Sequence, residues 1–287
     1  MSIAYLNGSF LPLEEARISP LDRGFLFGDG IYEVIPYYGG KPVGLAPHMQ
    51  RMADGLAAIE IKCDKSIEDW RVLLDDLIAK NADQGANLGV YIHVSRGADT
   101  KRYHAYPENV EPTIFAFAFP IKDPEPVDRT KAHGYAVSST QDLRWKRCNI
   151  KSTALLGNVM HYQQGHASGH GEILLYNENN ELTEASSSNA FIVKDGKVIT
   201  PIQDHQNLPG ITRRIIIDSL KADGSIPVEE RTVTMDEVRN ADEIWITSSS
   251  KEIAPVIELD GNPVGNGEVG QVWENAFRIY TERKFDF

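Results

Sequence analysis

The densest group of cations in the chain is Arg144-Trp-Lys-Arg-Cys-Asn-Ile-Lys151, and it runs straight into Ser152-Thr-Ala-Leu-Leu-Gly-Asn-Val. A lysine entering an apolar helix beside other cations has its ammonium form disfavoured, which frees an amine for Schiff-base chemistry. A solvated surface position is the commoner account of any single lysine. The second group is Leu182-Thr-Glu-Ala-Ser-Ser-Ser-Asn-Ala-Phe191, one carboxylate followed by small hydroxyl residues and then a strand pattern. Glu184 there can hydrogen-bond a pyridinium nitrogen and keep it protonated, which makes such a ring an electron sink. A polar turn entering a hairpin fits the same residues. In Asn207-Leu-Pro-Gly-Ile-Thr-Arg-Arg a Pro-Gly turn leads into an apolar helix. The free amides of Ile211 and Thr212, the Thr212 hydroxyl and the helix dipole offer a phosphate seat, although Thr212 as a plain cap is equally compatible. Ser248-Ser-Ser, at the end of the strand pattern Glu243-Ile-Trp-Ile-Thr, adds a cluster of hydroxyls and amides.

A fourth group, Ser95-Arg-Gly-Ala-Asp-Thr-Lys-Arg-Tyr-His-Ala-Tyr-Pro107, is a basic loop in an acidic chain. If it is extended, Arg102 and His104 point the same way, and a guanidinium fork beside an imidazole suits a substrate carboxylate; solvated loop charges remain the alternative. Other arrangements carry less. His161, His166 and His170 fall near helical spacing, but Gly165 and Gly169 weaken the helix and no carboxylate completes a metal triad, so no metal is expected. Ser186 to Ser188 lack the G-x-S-x-G elbow, and Gly28-Asp-Gly30 lacks a third glycine. Cys148 is a conceivable nucleophile, but the cations near it are better used by Lys151.

Positioning these groups falls to a mixed α and β architecture. Asn7-Gly8, Gly39-Gly40, Asp195-Gly196 and Asp260-Gly261 each separate short Val, Ile, Tyr and Phe-rich runs and predict antiparallel hairpins. Helical spacing marks His48 to Ile59, Ser66 to Asn81, Lys151 to His166, Ile211 to Leu220 and Gly270 to Lys284. Thr113 to Ile121 reads as a buried strand. The proline-rich 120–128 segment predicts a connector between an N-terminal domain, 1–119, and a C-terminal domain, 129–287.

With 41% hydrophobic and 24% charged residues in 287, the chain is globular in composition. Its 29 Lys and Arg against 41 Asp and Glu give a net charge of -12, which argues against nucleic acid or an anionic membrane surface and favours a small ligand. Two cysteines, Cys63 and Cys148, without C-x-x-C spacing fit a reducing compartment. The first residues show no signal peptide and no stretch is long enough to span a membrane, so a cytoplasmic protein is expected.

Taken in order, Arg23-Gly-Phe-Leu-Phe-Gly-Asp-Gly-Ile-Tyr-Glu33, His48-Met-Gln-Arg51, Arg144-Trp-x-Arg-Cys-x-Ile-Lys151-Ser, Thr183-Glu-x-Ser-Ser-Ser-Asn189, Gly210-Ile-Thr-Arg213 and Thr247-Ser-Ser-Ser resemble the class IV, or fold type IV, pyridoxal-phosphate aminotransferases over about residues 3–280. Within that family the chain is most similar to D-amino acid transaminases, because Arg102-Tyr-His104 matches their R-x-H carboxylate-trapping pair and Tyr32 its third member. The loop before Arg102 is a residue longer than the family's pattern, and Lys101 adds a cation. The resemblance implies two α/β domains, the smaller N-terminal and the larger C-terminal and barrel-like, with the cofactor between them. It implies Lys151 as the Schiff-base lysine, Glu184 as the partner of the pyridine nitrogen, and Arg51, Gly210, Ile211, Thr212, Ser248 and Ser249 around the phosphate, with Leu208 against the ring. It also implies transamination between a D-amino acid and a 2-oxo acid by a ping-pong mechanism, and a homodimer in which the trap loop serves the neighbouring subunit. An (R)-selective amine transaminase, a branched-chain L-aminotransferase and an aminodeoxychorismate lyase share the chemistry but give no reason for Arg102 with His104. A non-catalytic ligand-binding protein on the same scaffold is the alternative of a different class.

Overall fold

A computed structural model describes residues 2–287. The chain divides into two compact units, Met1–Asp123 with Ile150–Leu155 and Phe287, and Pro124–Asn149 with Leu156–Asp286. The change of unit after Asp123 falls in the proline-rich connector. Residues 150–155, which the sequence assigns with 129–287, pack instead with the first unit, because their backbone is hydrogen-bonded there.

The first unit contains β1 (Ile3–Leu6), β2 (Ser9–Pro12), α1 (Arg23–Phe27), β3 (Gly30–Tyr38), β4 (Lys41–Pro42), α2 (Leu45–Ala58), α3 (Ile67–Lys80), β5 (Asn87–Ser95) and β6 (Thr113–Pro120). The strands form one antiparallel sheet in the order β2-β1-β6-β5-β3-β4. Asn7 and Gly8 take φ of 47° and 96°, the pair of positive values that a two-residue turn matched to strand twist requires. Helix α3 starts on a capping box in which Ser66 and Asp69 satisfy each other's amides. Side chains alternate along each strand. Ile31 and Ile35 of β3, Val90 and Ile92 of β5 and Ala116 of β6 are buried with Met52, Leu74 and Leu77 of the two helices. The other face carries half-buried aromatics, with Tyr32 opposite His93 and Tyr91 opposite Phe117.

The second unit contains β7 (Tyr135–Gln141), α4 (Leu156–Ala167), β8 (Glu172–Tyr176), β9 (Leu182–Ala185), β10 (Asn189–Lys194), β11 (Lys197–Thr200), α5 (Ile211–Asp223), β12 (Val228–Glu230), α6 (Met235–Arg239), β13 (Glu243–Ser248), β14 (Glu252–Leu259), β15 (Asn262–Pro263) and α7 (Gln271–Arg283). Its sheet runs β12-β11-β10-β13-β14-β7-β8-β9, with β15 paired to β14. The end strand β9 turns through three serines directly into β10, an inner strand, so the sheet curls into a half-barrel. All four glycine turns expected from the sequence join paired strands.

One predicted helix begins late. The pattern from Lys151 to His166 is helical only from Leu156. Ser152 forms a bridge with Ile31, and the Thr153 amide donates to the Gly30 carbonyl at 2.9 Å. A neighbouring strand has taken the backbone groups that a helix would have used.

Candidate active site

In the first unit the Tyr32 amide donates to the Lys151 carbonyl at 3.1 Å, and the Lys151 ammonium nitrogen lies 4.0 Å from the centre of the Tyr32 ring. Among the described residues no carboxylate pairs with this amine. Glu33 points to the opposite face of β3, where it is completely buried and accepts from Arg51 Nε and a second Arg51 nitrogen at 2.7 Å each. His48 Nδ1 is also 2.7 Å from this carboxylate. Burial alone would raise the Glu33 carboxyl, but Arg51 and His48 outweigh it and hold it far below the usual carboxylate range. Burial lowers His48 against the pull of Glu33, so its imidazole is neutral near pH 7 and donates from Nδ1. The shared carboxylate thus fixes Arg51, whose spacing from His48 is one helical turn.

Arg102 and His104 are exposed and flank one ring: the guanidinium is 5.2 Å from the Phe27 centroid and the imidazole 5.3 Å. Arg23 sets this loop by donating to the carbonyls of Tyr103 and His104 at 2.5 and 3.1 Å, while its Nε bonds Asp29. The same unit holds a cleft of about 500 Å³ whose lining includes Tyr91, His93, Ser95, Phe115 and Thr153. Tyr91 Oη is 3.1 Å from His93 Nδ1. Burial pushes the Tyr91 phenol up to about 12 and lowers His93.

In the second unit Glu184 is 4% exposed and receives Arg144 at 2.6 Å, the Leu208 amide at 3.0 Å and Asn189 Nδ2 at 3.2 Å. Burial raises its carboxyl, and Arg144 and the Leu208 amide pull the other way. Arg144 also grips Asp142 at 2.7 Å, so the leading cation of the basic cluster is neutralised by carboxylates. The thiol of Cys148 donates to the Trp145 carbonyl, and burial pushes it up to about 11, which removes it as a nucleophile near neutral pH.

Asn189 also donates to the Leu208 carbonyl at 2.9 Å, tying the end of the serine turn to the turn before α5. Gly210 precedes α5 without any side-chain cap. A Cβ on Gly210 would stand 1.9 Å from Asn189 Oδ1, so a larger residue there requires that side chain to move. Ile211 and Thr212 are buried, and as first residues of the helix their amides have no partner within it. Ser248 and Ser249 are half-buried at the end of β13, and the buried hydroxyl of the preceding Thr247 has no partner.

This donor set fits pyridoxal phosphate. An uncapped helix start with adjacent hydroxyls suits a phosphate dianion. A buried carboxyl whose charged form is disfavoured gains from one more proton-bearing partner, such as a protonated ring nitrogen. The structure gathers Glu184, Leu208, Gly210, Ile211 and Thr212 through Asn189 in one unit, together with Ser248 and Ser249. It gathers Lys151 with Tyr32, and places Arg51, Arg102 and His104, in the other. Sequence reasoning passes over Glu33, Arg144 and Asn189 as working groups. The signals present are a carboxylate on a β-rich run before His48-x-x-Arg51, and the one arginine of the cluster close to Asp142.

Residues 30–259 match the family described as amino-transferase class IV. A D-alanine aminotransferase of Staphylococcus haemolyticus is 35% identical, the alignment covering 99% of each chain. One from Staphylococcus aureus (strain MW2) is 38% identical over 98% of this chain and 99% of its own. Among solved structures, the Escherichia coli branched-chain amino acid aminotransferase superposes with a TM-score of 0.88 at 24% identity, covering 98% of this chain and 93% of its own. The T.th. branched-chain amino acid aminotransferase, solved with pyridoxamine 5'-phosphate, gives 0.86 at 24% identity, covering 99% and 94%.

Proposed function

The chain belongs to the class IV amino-transferases, which are pyridoxal-phosphate enzymes, and from that premise we propose that it moves the amino group of a D-amino acid, such as D-alanine or D-glutamate, to a 2-oxo acid such as 2-oxoglutarate or pyruvate. The observation that carries the reading is the full-length likeness to enzymes named D-alanine aminotransferase. The branched-chain enzymes are similar in fold, at identities under 25%.

When bound, pyridoxal phosphate supplies a carbonyl that condenses with amines and a ring that accepts the electron pair released from Cα. Lys151 Nζ is the amine that holds the cofactor and, once freed by substrate, the base that takes the Cα proton and redelivers it. Its place over Tyr32 orients it. Glu184, backed by Arg144, Asn189 and the Leu208 amide, holds a proton at the ring nitrogen, and Leu208 bears on the ring. Arg51, the amides of Ile211 and Thr212, and the hydroxyls of Thr212, Ser248 and Ser249 bind the phosphate, with Gly210 giving the backbone room to approach. Arg102 and His104, with Tyr32 as third member, bind the substrate carboxylate. Two half-reactions on one lysine make the kinetics ping-pong.

The working unit is a homodimer in which the Arg102 loop serves the neighbouring subunit. In support, that loop is exposed, and α4 offers Leu156, Val159 and Met160 to solvent, an apolar helix face suited to a second copy. Both cysteines are free, which suits the reducing cytoplasm. No helix among the described residues is long and apolar enough to cross a membrane.

Purified protein is expected to form pyruvate from D-alanine and 2-oxoglutarate with parallel double-reciprocal plots; equal rates with L-alanine would overturn the stereochemical assignment. Lys151→Ala is expected to lose both transamination and the borohydride-reducible visible band, and a variant keeping both would overturn the role of Lys151.

A further inference from the structure

Glu172 opens β8 with a side chain completely removed from solvent. Its carboxylate collects the hydroxyls of three consecutive residues: Ser186 on Oε1, and Ser187 and Ser188 on Oε2 at 2.5 and 3.2 Å. The Ile173 amide donates to Oε1 at 3.1 Å, and the Lys251 ammonium lies 3.7 Å from Oε2. A buried carboxylate with this many donors holds the groups around it in one arrangement.

Those groups come from two turns. The serines form the turn between β9 and β10, closed by the Ala185 amide on the Ser188 carbonyl at 2.7 Å, with Glu184 just before it and Asn189 just after. Lys251 belongs to the turn between β13 and β14, where its amide donates to Ser248 Oγ at 3.2 Å. The next residue, Glu252, has φ of 52° and forms a buried ion pair with Lys284 at 2.6 Å. One carboxylate therefore spans the turn that aims the ring-nitrogen partner and the turn that presents Ser248 and Ser249.

We propose that Glu172 is a positioning residue that fixes the distance between the ring-nitrogen end and the phosphate end of the cofactor subsite. This rests on the assignment of Glu184 and of Ser248 and Ser249 made above. Glu172 touches neither substrate nor cofactor; it acts through the serine turn and Lys251. In Glu172→Gln one oxygen becomes an NH2 that faces donors whichever way the amide turns, so at least one hydroxyl loses its acceptor and the ammonium loses its countercharge.

The test is titration of cofactor-free wild type, Glu172→Gln, Ser187→Ala and Lys251→Met with pyridoxal phosphate, read by absorbance well below each melting temperature, followed by steady-state kinetics of the loaded proteins. For Glu172→Gln the dissociation constant is expected to rise about tenfold or more and kcat to fall, with KM for D-alanine within about twofold of wild type. Ser187→Ala, which deletes one hydroxyl and no charge, is expected to weaken the cofactor about threefold and serves if Glu172→Gln does not fold. Lys251→Arg should restore what Lys251→Met loses. A Glu172→Gln or Ser187→Ala protein that melts lower yet binds pyridoxal phosphate as wild type does would overturn the proposal and leave Glu172 a stabiliser of the fold. Wild type that binds no pyridoxal phosphate would instead overturn the functional reading beneath it.

Discussion

Replacing Glu33 by alanine removes the acceptor for three donors and takes the buried carboxylate away from the Arg51 guanidinium, which is 10% exposed. Charge-assisted bonds of this kind are worth roughly 1.5–3 kcal/mol each when taken singly. They do not add here, because Arg51 keeps some access to water and both its contacts are lost as one event. Breaking a buried ion pair by deleting one partner costs about 3–5 kcal/mol, most of it the stranded charge. At about 2–4 °C per kcal/mol for a chain of this size, the melting temperature should fall by roughly 10 °C. The assay is thermal unfolding of cofactor-free protein, so that ligand binding does not shift the transition. The control is the double variant Glu33→Leu with Arg51→Met, which strands no charge and should recover most of the loss. Glu33→Ala melting within about 2 °C of wild type, or the double variant melting below the single one, would refute the argument.

Further outcomes follow from other contacts. Arg102→Ala should raise KM for D-alanine at least about tenfold while sparing a primary amine without a carboxylate; equal losses for both would remove the carboxylate from its role. Gly210→Ala drives a Cβ to 1.9 Å from Asn189 Oδ1 and should destabilise the fold by roughly 1–3 kcal/mol and weaken cofactor binding, measured by melting and titration; an unchanged affinity would show that the turn can shift freely. The folded protein depresses the proton affinity of His48, so the unfolded chain binds that proton more readily. Stability should therefore decline as pH falls below about 6.5, the ordinary histidine value, and continue to fall until the buried imidazole titrates. His48→Gln should flatten that limb in denaturant melts across about pH 5–7. Glu33, held low, contributes in full above the ordinary carboxylate value, and that contribution drains away as pH falls from there toward its depressed folded value.

Features governed by neighbours along the chain are legible in the sequence itself. Asn-Gly and Asp-Gly pairs force the turn that joins β1 to β2 and β10 to β11 wherever the rest of the chain lies. The helix starting after Gly210 is legible for the same reason, since a Pro-Gly turn and an apolar stripe are local signals. The stretch after Lys151 misleads because β3, over a hundred residues earlier, captures its backbone, which no local spacing reveals. Glu33 and Glu172 escape notice for a related reason. A glutamate is ordinarily a surface residue, and what surrounds these two is a set of partners outside their own strands, 14 to 18 positions away, joined at Glu172 by Lys251 much farther along the chain. Arg51 is marked only by the family pattern, and its chemistry becomes readable once Glu33 is seen on the inward face of its strand.

The visit of residues 150–155 to the first unit bears on how the polypeptide is made. Ile150 is part of the first unit's hydrophobic core, and Thr153 is bonded to a strand residue 123 positions earlier. A nascent chain that has emerged only as far as Asp123 has every strand and helix of that unit and still lacks a piece of its interior. Contacts at such separation form late, because the loop they close must be drawn in first. Lys151 thus arrives with a late segment of a body otherwise ready to receive it, and synthesis has passed into the second unit before the first can be sealed.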